Sequence, residues 1–280
     1  MLAAALLFST GGAAIKLATL SSWQIAGGRS ALAALTLWLL VPAWRPGRDW
    51  RPYAAGVAYG STLVLYVVAN TLTTAAHAIF LQTSAPFWIL VLGPRLLGEP
   101  TRRGDRLRLG LLGAGLALML LGHQQSLATA PDPARGNLLA TLSGLSWALT
   151  LMGLRWLGPR ATSSESDLAG ASVVAGNALV FVVCLPLALP VAGATALDGA
   201  VVVWLGGFQI ALAYLILVRG ARSLRALELS LLLVLEPVLN AALAWQVHGE
   251  VPAPVAFAGA GLIAAGVIWQ ALGRVAADGS

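Results

Sequence analysis

Residues 83–100 read TSAPFWILVLGPRLLGEP, and residues 234–251, which lie 151 positions further along, read VLEPVLNAALAWQVHGEV. The two stretches align without a gap, and the alignment places Pro86 opposite Pro237. Further matches at the same offset are Gly98 with Gly249, Glu99 with Glu250, Gly110 with Gly261 and Gly115 with Gly266. The chain therefore contains two related halves.

The composition is typical of a membrane protein. Of the 280 residues, 58% are apolar and only 10% are charged, against roughly 45–50% and about 25% in soluble domains. A bilayer-spanning helix needs about 20 mostly apolar residues. The apolar runs that fit are 1–20, 23–41, 53–72, 74–92, 107–121, 136–154, 168–189, 199–218, 227–247 and 252–272. We therefore expect an all-α integral membrane protein with ten transmembrane helices.

Each half contains five of these runs. Because five is an odd number, the second copy enters the membrane in the opposite direction to the first, which predicts two inverted five-helix repeats. We expect the first repeat at residues 1–125, a linker at 126–135 and the second repeat at 136–280. Secondary transporters have this architecture, with the substrate site near the bilayer midplane between the repeats.

The basic residues predict the orientation. Fourteen of the 17 Lys and Arg residues lie after the second, fourth, sixth and eighth runs or near the C-terminus, and cytoplasmic loops carry such an excess. We expect both termini in the cytoplasm. Of the other three, Arg135 lies in an outer loop, Lys16 is expected to snorkel to the outer surface, and Arg29 is expected to bond backbone carbonyls inside the second run.

Several function classes are excluded by what the sequence lacks. The single cysteine, Cys184, rules out a disulfide framework or a thiolate zinc site. The only lysine, Lys16, follows Ile15, so the chain has no phosphate-binding loop and cannot itself drive transport with ATP. It also has no His-Glu-x-x-His or Gly-x-Ser-x-Gly motif, and its three histidines are not at ligand spacing. We therefore expect a transporter rather than an intramembrane enzyme, without a metal or cofactor.

The two matched prolines predict interruptions in the fourth and ninth helices. Each lies near mid-bilayer depth, where proline frees the carbonyl four residues earlier, at Gln82 or Leu233, and bends the helix. Interrupted helices at corresponding positions of two halves indicate a transport site. We therefore assign Pro86 and Pro237 a hinge role, the alternative being that they shape only helix packing.

Polar and aromatic side chains at membrane depth predict the substrate site, because such groups usually face the bundle interior. The candidates share helical faces and are Tyr59, Tyr66, His77, Ser84, Trp88, Ser143 and Trp147. An aromatic wall with a few hydroxyls and an imidazole suits a small amphipathic ligand. In the alternative interpretation, the aromatic residues belong to the interfacial belt and the hydroxyls bond their own helices.

Glu236 is the only acid well inside an apolar run, about 15 Å from the start of the ninth helix by helical rise. An isolated carboxylate is costly there. Three hypotheses remain open. Glu236 couples transport to protons, or it bonds backbone near Pro237 or pairs with Arg29 or Lys16, or it meets an ammonium group of the substrate.

The motifs also carry a family resemblance. The stretch from Ala226 to Glu250, with Glu236-Pro237 and Gly249-Glu250, resembles the EamA-type repeat of the drug/metabolite transporter superfamily, and residues 83–88 and 97–100 echo it. The chain is similar to the ten-helix YddG-type exporters. This resemblance implies export of amino acids or related small metabolites across the bacterial inner membrane by a monomer in the lipid bilayer, with no nucleic-acid partner. The alternative is efflux of drugs or lipophilic cations by the same fold.

Overall fold

The computed structural model describes residues 2–96, 98, 103–121, 128–157, 167–216, 226–250 and 254–278. Regular structure in these ranges is helical, which confirms the predicted all-α class. The helices are α1 (Leu2–Ser9), α2 (Gly11–Leu17), α3 (Ser22–Leu40), α4 (Arg51–Leu72), α5 (Ala75–Gln82), α6 (Ala85–Leu96), α7 (Arg103–Leu121), α8 (Pro133–Leu157), α9 (Leu168–Ala188), α10 (Ala196–Val203), α11 (Ala226–His248) and α12 (Pro254–Asp278).

Five helical stretches in the described part of the chain are long and apolar enough to cross a membrane. They are Arg51–Leu72, Ala75–Leu96, Pro133–Leu154, Leu168–Ala188 and Ala196–Ile216. Three shorter apolar helices are Ala3–Leu17, Leu109–Leu120 and Phe257–Gly266. Large apolar side chains such as Val182 and Phe257, each 62% exposed, cover the outside of the bundle, as expected where lipid is the solvent.

Several helices begin at side-chain caps that the sequence supplies. Ser21 Oγ accepts from Gln24 N at 3.3 Å, while Gln24 Oε1 accepts from Ser21 N at 2.9 Å. Thr195 and Asp198 form the same reciprocal arrangement at the start of α10. Each pair satisfies backbone donors that the first helical turn would leave without a partner.

Glycines permit the closest helix contacts. A Cβ added at Gly56 would lie 3.0 Å from Gly176 N, and one added at Gly60 would lie 3.2 Å from Gly176 O, so α4 and α9 approach backbone to backbone. The spacing of Gly56 and Gly60 is that of a small-residue packing motif. The repeat-related Gly115 and Gly266 both lie where α7 packs against α12.

The helix that carries Pro86 is interrupted, as predicted. Two residues, Thr83 and Ser84, separate α5 from α6, and Pro86 is the second residue of α6, where its missing N–H costs no helical hydrogen bond. Two hydroxyls hold the interruption. Thr83 Oγ1 donates to Ile79 O at 2.7 Å, and Ser84 Oγ donates to Leu81 O at 2.5 Å.

The expected matching interruption at Pro237 is wrong, because this proline lies inside the continuous helix α11. The residues that correspond to Thr83 and Ser84 are Val234 and Leu235. These residues have no hydroxyl that could hold backbone carbonyls in the way the first half does. The two prolines therefore occupy different helical contexts.

Two further irregularities were not expected from the sequence. Thr10 separates α1 from α2, and the helix from α10 continues as a π-helical segment, Trp204–Leu212. This segment packs tightly on α3, since a Cβ at Gly206 would lie 2.5 Å from Arg29 O. π-helical turns are often found at functional sites.

Hydrogen bonds join the connections between the helices at two ends of the bundle. At one end of the bundle, which we call the Lys16 end, Lys16 contacts Thr73, Thr129 and Glu250. Asp198 accepts there from the backbone and hydroxyl of Thr19, at 2.6 and 2.8 Å.

At the other end, which we call the Trp44 end, the connection after α3 is joined to the start of α9. Trp44 Nε1 donates to Asp167 Oδ2 at 2.9 Å, and Asp167 N donates to Ala43 O at 3.0 Å. The Lys16 end therefore contains connections with few arginines, whereas the arginine-rich connection after α3 lies at the Trp44 end.

Candidate functional site

The interruption between α5 and α6 is a polar point inside the bundle. α8 packs directly onto it at Gly144, where an added Cβ would lie 2.7 Å from Ser84 Oγ. The neighbouring Ser143 accepts a hydrogen bond from Gln82 Nε2 at 2.8 Å and donates one to Thr62 O at 3.1 Å. The interruption is thereby joined to both α4 and α8.

The structure places the two predicted serines at this point, and both are fully buried. Ser84 bonds a carbonyl of its own helical turn, whereas Ser143 bridges two other helices. Each hydroxyl thus already makes a hydrogen bond. The interruption therefore lies next to α8, with Ser84 on the interrupted segment and Ser143 on α8.

The two predicted tryptophans lie close to the interruption. Trp88 and Trp147 are both half-buried, and both pack against the small cluster of Ala85, Ala148 and Met152. The indole Nε1 of Trp88 is buried and has no hydrogen-bond partner among the described residues. A buried donor without a partner is costly, so a ligand acceptor at this position would gain a hydrogen bond.

The two predicted tyrosines of α4 lie in different apolar clusters. Tyr59 packs edge-to-face against Tyr214 with ring centroids 5.5 Å apart, and its hydroxyl accepts from Asn177 Nδ2 at 3.4 Å. Tyr66 accepts from Asn240 Nδ2 at 3.2 Å. Each tyrosine hydroxyl therefore meets an asparagine from the second half of the chain.

His77 lies away from the interruption, on the first turn of α5. It is fully buried, and its Nδ1 lies 2.9 Å from the hydroxyl of Thr74, which also caps the helix. By helical rise, 11 residues separate His77 from Trp88 by about 16 Å. The structure therefore places His77 near the Lys16 end, apart from Ser84 and Trp88.

Arg29 and Glu236 both interact electrostatically with the tyrosines. Arg29 is buried, donates from Nη2 to Leu63 O at 3.0 Å, and interacts electrostatically with Tyr59, Tyr66 and Tyr214. This carbonyl bond confirms the prediction for Arg29. Glu236 is half-buried and interacts electrostatically with Tyr66 and Tyr214.

Lys16, one of the partners considered for Glu236, pairs with Glu250 instead. The expected snorkelling of Lys16 is wrong. Its side chain is only 4% exposed, and three oxygen acceptors hold its ammonium group within the bundle. These three acceptors replace the water that the ammonium group of Lys16 would have reached by snorkelling.

Sequence reasoning missed a set of buried amides. Among the described residues, side-chain amide atoms without a hydrogen-bond partner occur at Asn70, Asn177, Gln209 and Asn240. Asn240 and Gln209 also crowd the glycines at the start of α2, since a Cβ at Gly12 or Gly11 would contact them. The signal was available, because Asn177, Gln209 and Asn240 each lie well inside an apolar run, at membrane depth.

Comparisons with known proteins identify the second half of the chain. Residues 134–271, just under half of the chain, match the model of the EamA-like transporter family, whose members are multi-pass membrane proteins. One solved structure, titled "Crystal structure of protein", is 18% identical and has a TM-score of 0.64, covering 97% of this chain and 95% of its own. This likeness shows the fold alone. No curated protein matches the chain.

Proposed function

We propose that this chain, with its EamA-like domain at residues 134–271, exports amino acids or related small metabolites across the bacterial inner membrane. Its ten spans form two inverted five-helix repeats, 1–125 and 136–280, joined by the linker 126–135. The repeats expose a shared substrate site alternately to each side of the membrane. The transporter functions as a monomer.

One observation carries this proposal, namely the unsatisfied polar atoms inside an apolar bundle. The amides of Asn70, Asn177, Gln209 and Asn240 and the indole of Trp88 each have a buried atom without a partner in the described part of the chain. A buried polar atom without a partner costs roughly 1–3 kcal/mol. A ligand that carries both donors and acceptors, as an amino acid does, would satisfy such atoms.

The two ends of the bundle support the proposed orientation. The Lys16 end gathers connections with few basic residues, whereas the Trp44 end contains Trp44 within the arginine-rich connection 41–50. Since cytoplasmic loops carry the arginine excess, the Trp44 end is the cytoplasmic one. Both termini then lie in the cytoplasm.

The substrate contacts can be tested with matched tryptophan variants. Trp88 is half-buried beside the interruption, whereas Trp245 is 60% exposed on the outside of α11. In proteoliposomes loaded with a panel of amino acids, we expect Trp88→Ala to reduce export by at least about tenfold, because the variant loses the ring that contacts the substrate. A tenfold effect corresponds to about 1.4 kcal/mol of binding free energy.

The control Trp245→Ala should transport like the unchanged protein. Equal reduction in both variants would assign the effect to general destabilisation. Unchanged export by Trp88→Ala, Tyr66→Ala and Trp147→Ala would remove these rings from the substrate site.

A specific observation favours lipophilic cations as the second candidate substrate class. Glu236 is half-buried and interacts electrostatically with Tyr66 and Tyr214, and an accessible acid inside a membrane suits a cation. Glu236→Gln keeps the side-chain shape but removes the charge. Loss of cation transport with retained amino-acid transport would indicate that the acid contacts cations.

The same variant tests proton coupling. If Glu236→Gln remains fully active with an unchanged pH profile, the carboxylate does not couple transport to protons. If it is inactive although folded, a purely structural role for Glu236 is wrong.

A further inference from the structure

The Lys16 end contains a buried ion pair that joins distant parts of the chain. Lys16 Nζ lies 2.5 Å from Glu250 Oε1, and the two side chains are 4% and 1% exposed. Lys16 belongs to the last turn of α2, whereas Glu250 follows the end of α11. The pair therefore connects a helix of the first half to a connection of the second half.

The remaining hydrogen bonds of both charged groups extend this contact. Lys16 Nζ also donates to Thr73 O at 2.8 Å and to Thr129 O, and Glu250 Oε2 accepts from Ala75 N at 2.8 Å. The ammonium group thus has three oxygen acceptors, and the carboxylate binds at both oxygens. Four separate segments are held together at one point.

A glycine directs the carboxylate inward. Gly249 has a φ of +67°, a left-handed conformation that side-chain-bearing residues rarely adopt. The turn lets the chain leave α11 and place Glu250 over the ends of α2 and α5. Gly98, the repeat-related residue, also has a φ of +67°.

The ion pair can hold the Lys16 end of the bundle closed to water. Separating buried opposite charges is strongly unfavourable unless each charge gains another partner or water. Because both side chains are nearly fully buried, their hydration requires the segments that meet at the pair, among them α2 and the turn between α4 and α5, to move apart. Separation of the pair and opening of the Lys16 end are therefore the same event.

We propose that the Lys16–Glu250 ion pair closes the transport path at the Lys16 end. The pair is intact while the substrate site faces the Trp44 end, and it separates with hydration of both groups when the site opens to the Lys16 end. This inference rests on the alternating access proposed above.

The first test measures opening without any substrate. Cys184→Ala removes the only cysteine, and Ala76→Cys introduces a thiol at a position that is 3% exposed on the first turn of α5. A water-soluble maleimide is added to the purified protein in detergent micelles. The labelling rate then reports how often the Lys16 end opens.

The decisive variant is the double substitution Lys16→Gln/Glu250→Gln. It replaces the ion pair with a neutral pair of similar size, so no buried charge is left without a partner. We expect labelling at least about tenfold faster than in the parent, which corresponds to about 1.4 kcal/mol. Unchanged helical circular dichroism and a monodisperse elution profile establish that the faster labelling comes from opening of a folded protein.

A matched control is available at the same end of the bundle. Arg135 pairs with Asp132 at 3.2 Å but is 81% exposed, and Asp132 N donates to Leu72 O beside the turn between α4 and α5. Exposed pairs contribute little, so Arg135→Gln should leave the labelling rate unchanged. Equal rates in the double variant, the control and the parent would overturn the closure.

A second measurement uses a cross-link. In the variant Cys184→Ala/Lys16→Cys/Glu250→Cys, a bifunctional thiol reagent joins the two introduced cysteines, which should abolish transport until a cleavable reagent is reduced. Full transport by completely cross-linked protein would also overturn the proposal. If no substrate of the panel is transported but the double variant labels faster, the proposed export function fails and the closure stands.

Discussion

Gly144→Ala tests whether the close contact between α8 and the interrupted helix stabilises the fold. The new methyl group would lie 2.7 Å from Ser84 Oγ, 2.8 Å from Leu81 O and 3.0 Å from Gln82 O. Two of these three atoms belong to the backbone and cannot rotate away. α8 must therefore shift by several tenths of an ångström.

The expected magnitude follows from three effects. Overpacking costs about 1–3 kcal/mol, and the shift weakens the hydrogen bonds of the adjacent Ser143 by roughly 0.5–1.5 kcal/mol. Replacing a helical glycine with alanine returns about 1 kcal/mol. We expect a net loss of about 1–3 kcal/mol, which lowers the melting temperature in detergent by roughly 2–10 °C.

Gly261→Ala is the matched control, since nothing lies within 4 Å of a Cβ at that helical position. It retains only the favourable helix propensity, so its melting temperature should stay equal or rise. The two substitutions are chemically identical and are predicted to act in opposite directions. A Gly144→Ala protein as stable as Gly261→Ala would refute the packing argument at the interruption.

Three further outcomes are expected. Asn70→Leu should change the melting temperature little, because its buried amide, which interacts with the Tyr66 hydroxyl, makes no close hydrogen bond in the described part of the chain, and it should reduce amino-acid export in proteoliposomes. Trp44→Phe should lower the free energy of unfolding by about 1.5–3 kcal/mol in thermal melts, since it removes the indole bond to the carboxylate of Asp167. Reporter fusions at the C-terminus and within residues 126–132 should report opposite compartments, and the same compartment for both would contradict the ten-span topology.

Local sequence patterns predicted much of the secondary structure. The run 168–189 corresponds to α9, Leu168–Ala188, and the run 53–72 lies within α4, Arg51–Leu72. The spacing of Gly56 and Gly60 is typical of close helix packing, and α4 approaches α9 at these two glycines. Such features depend on short-range hydropathy and residue size, which one sequence contains in full.

The sequence was less informative where the outcome depends on tertiary contacts. Lys16 and Glu250 lie 234 residues apart, and no local pattern reveals that one would solvate the other. The symmetric prolines suggested symmetric interruptions, but hydroxyls accompany only Pro86. The buried amides were detectable as polar residues at membrane depth, although which atoms lack partners depends on the packing of separate helices.

Substrate counterflow in proteoliposomes tests the central claim most directly. Vesicles containing the purified protein are preloaded with one unlabelled amino acid, and a trace of the labelled compound is added outside. A carrier with a single site that is open to one side at a time should accumulate label transiently above its equilibrium level, and only for compounds that fit the site. Label that merely equilibrates for every member of the panel, or does not enter at all, would contradict an alternating-access exporter of small metabolites.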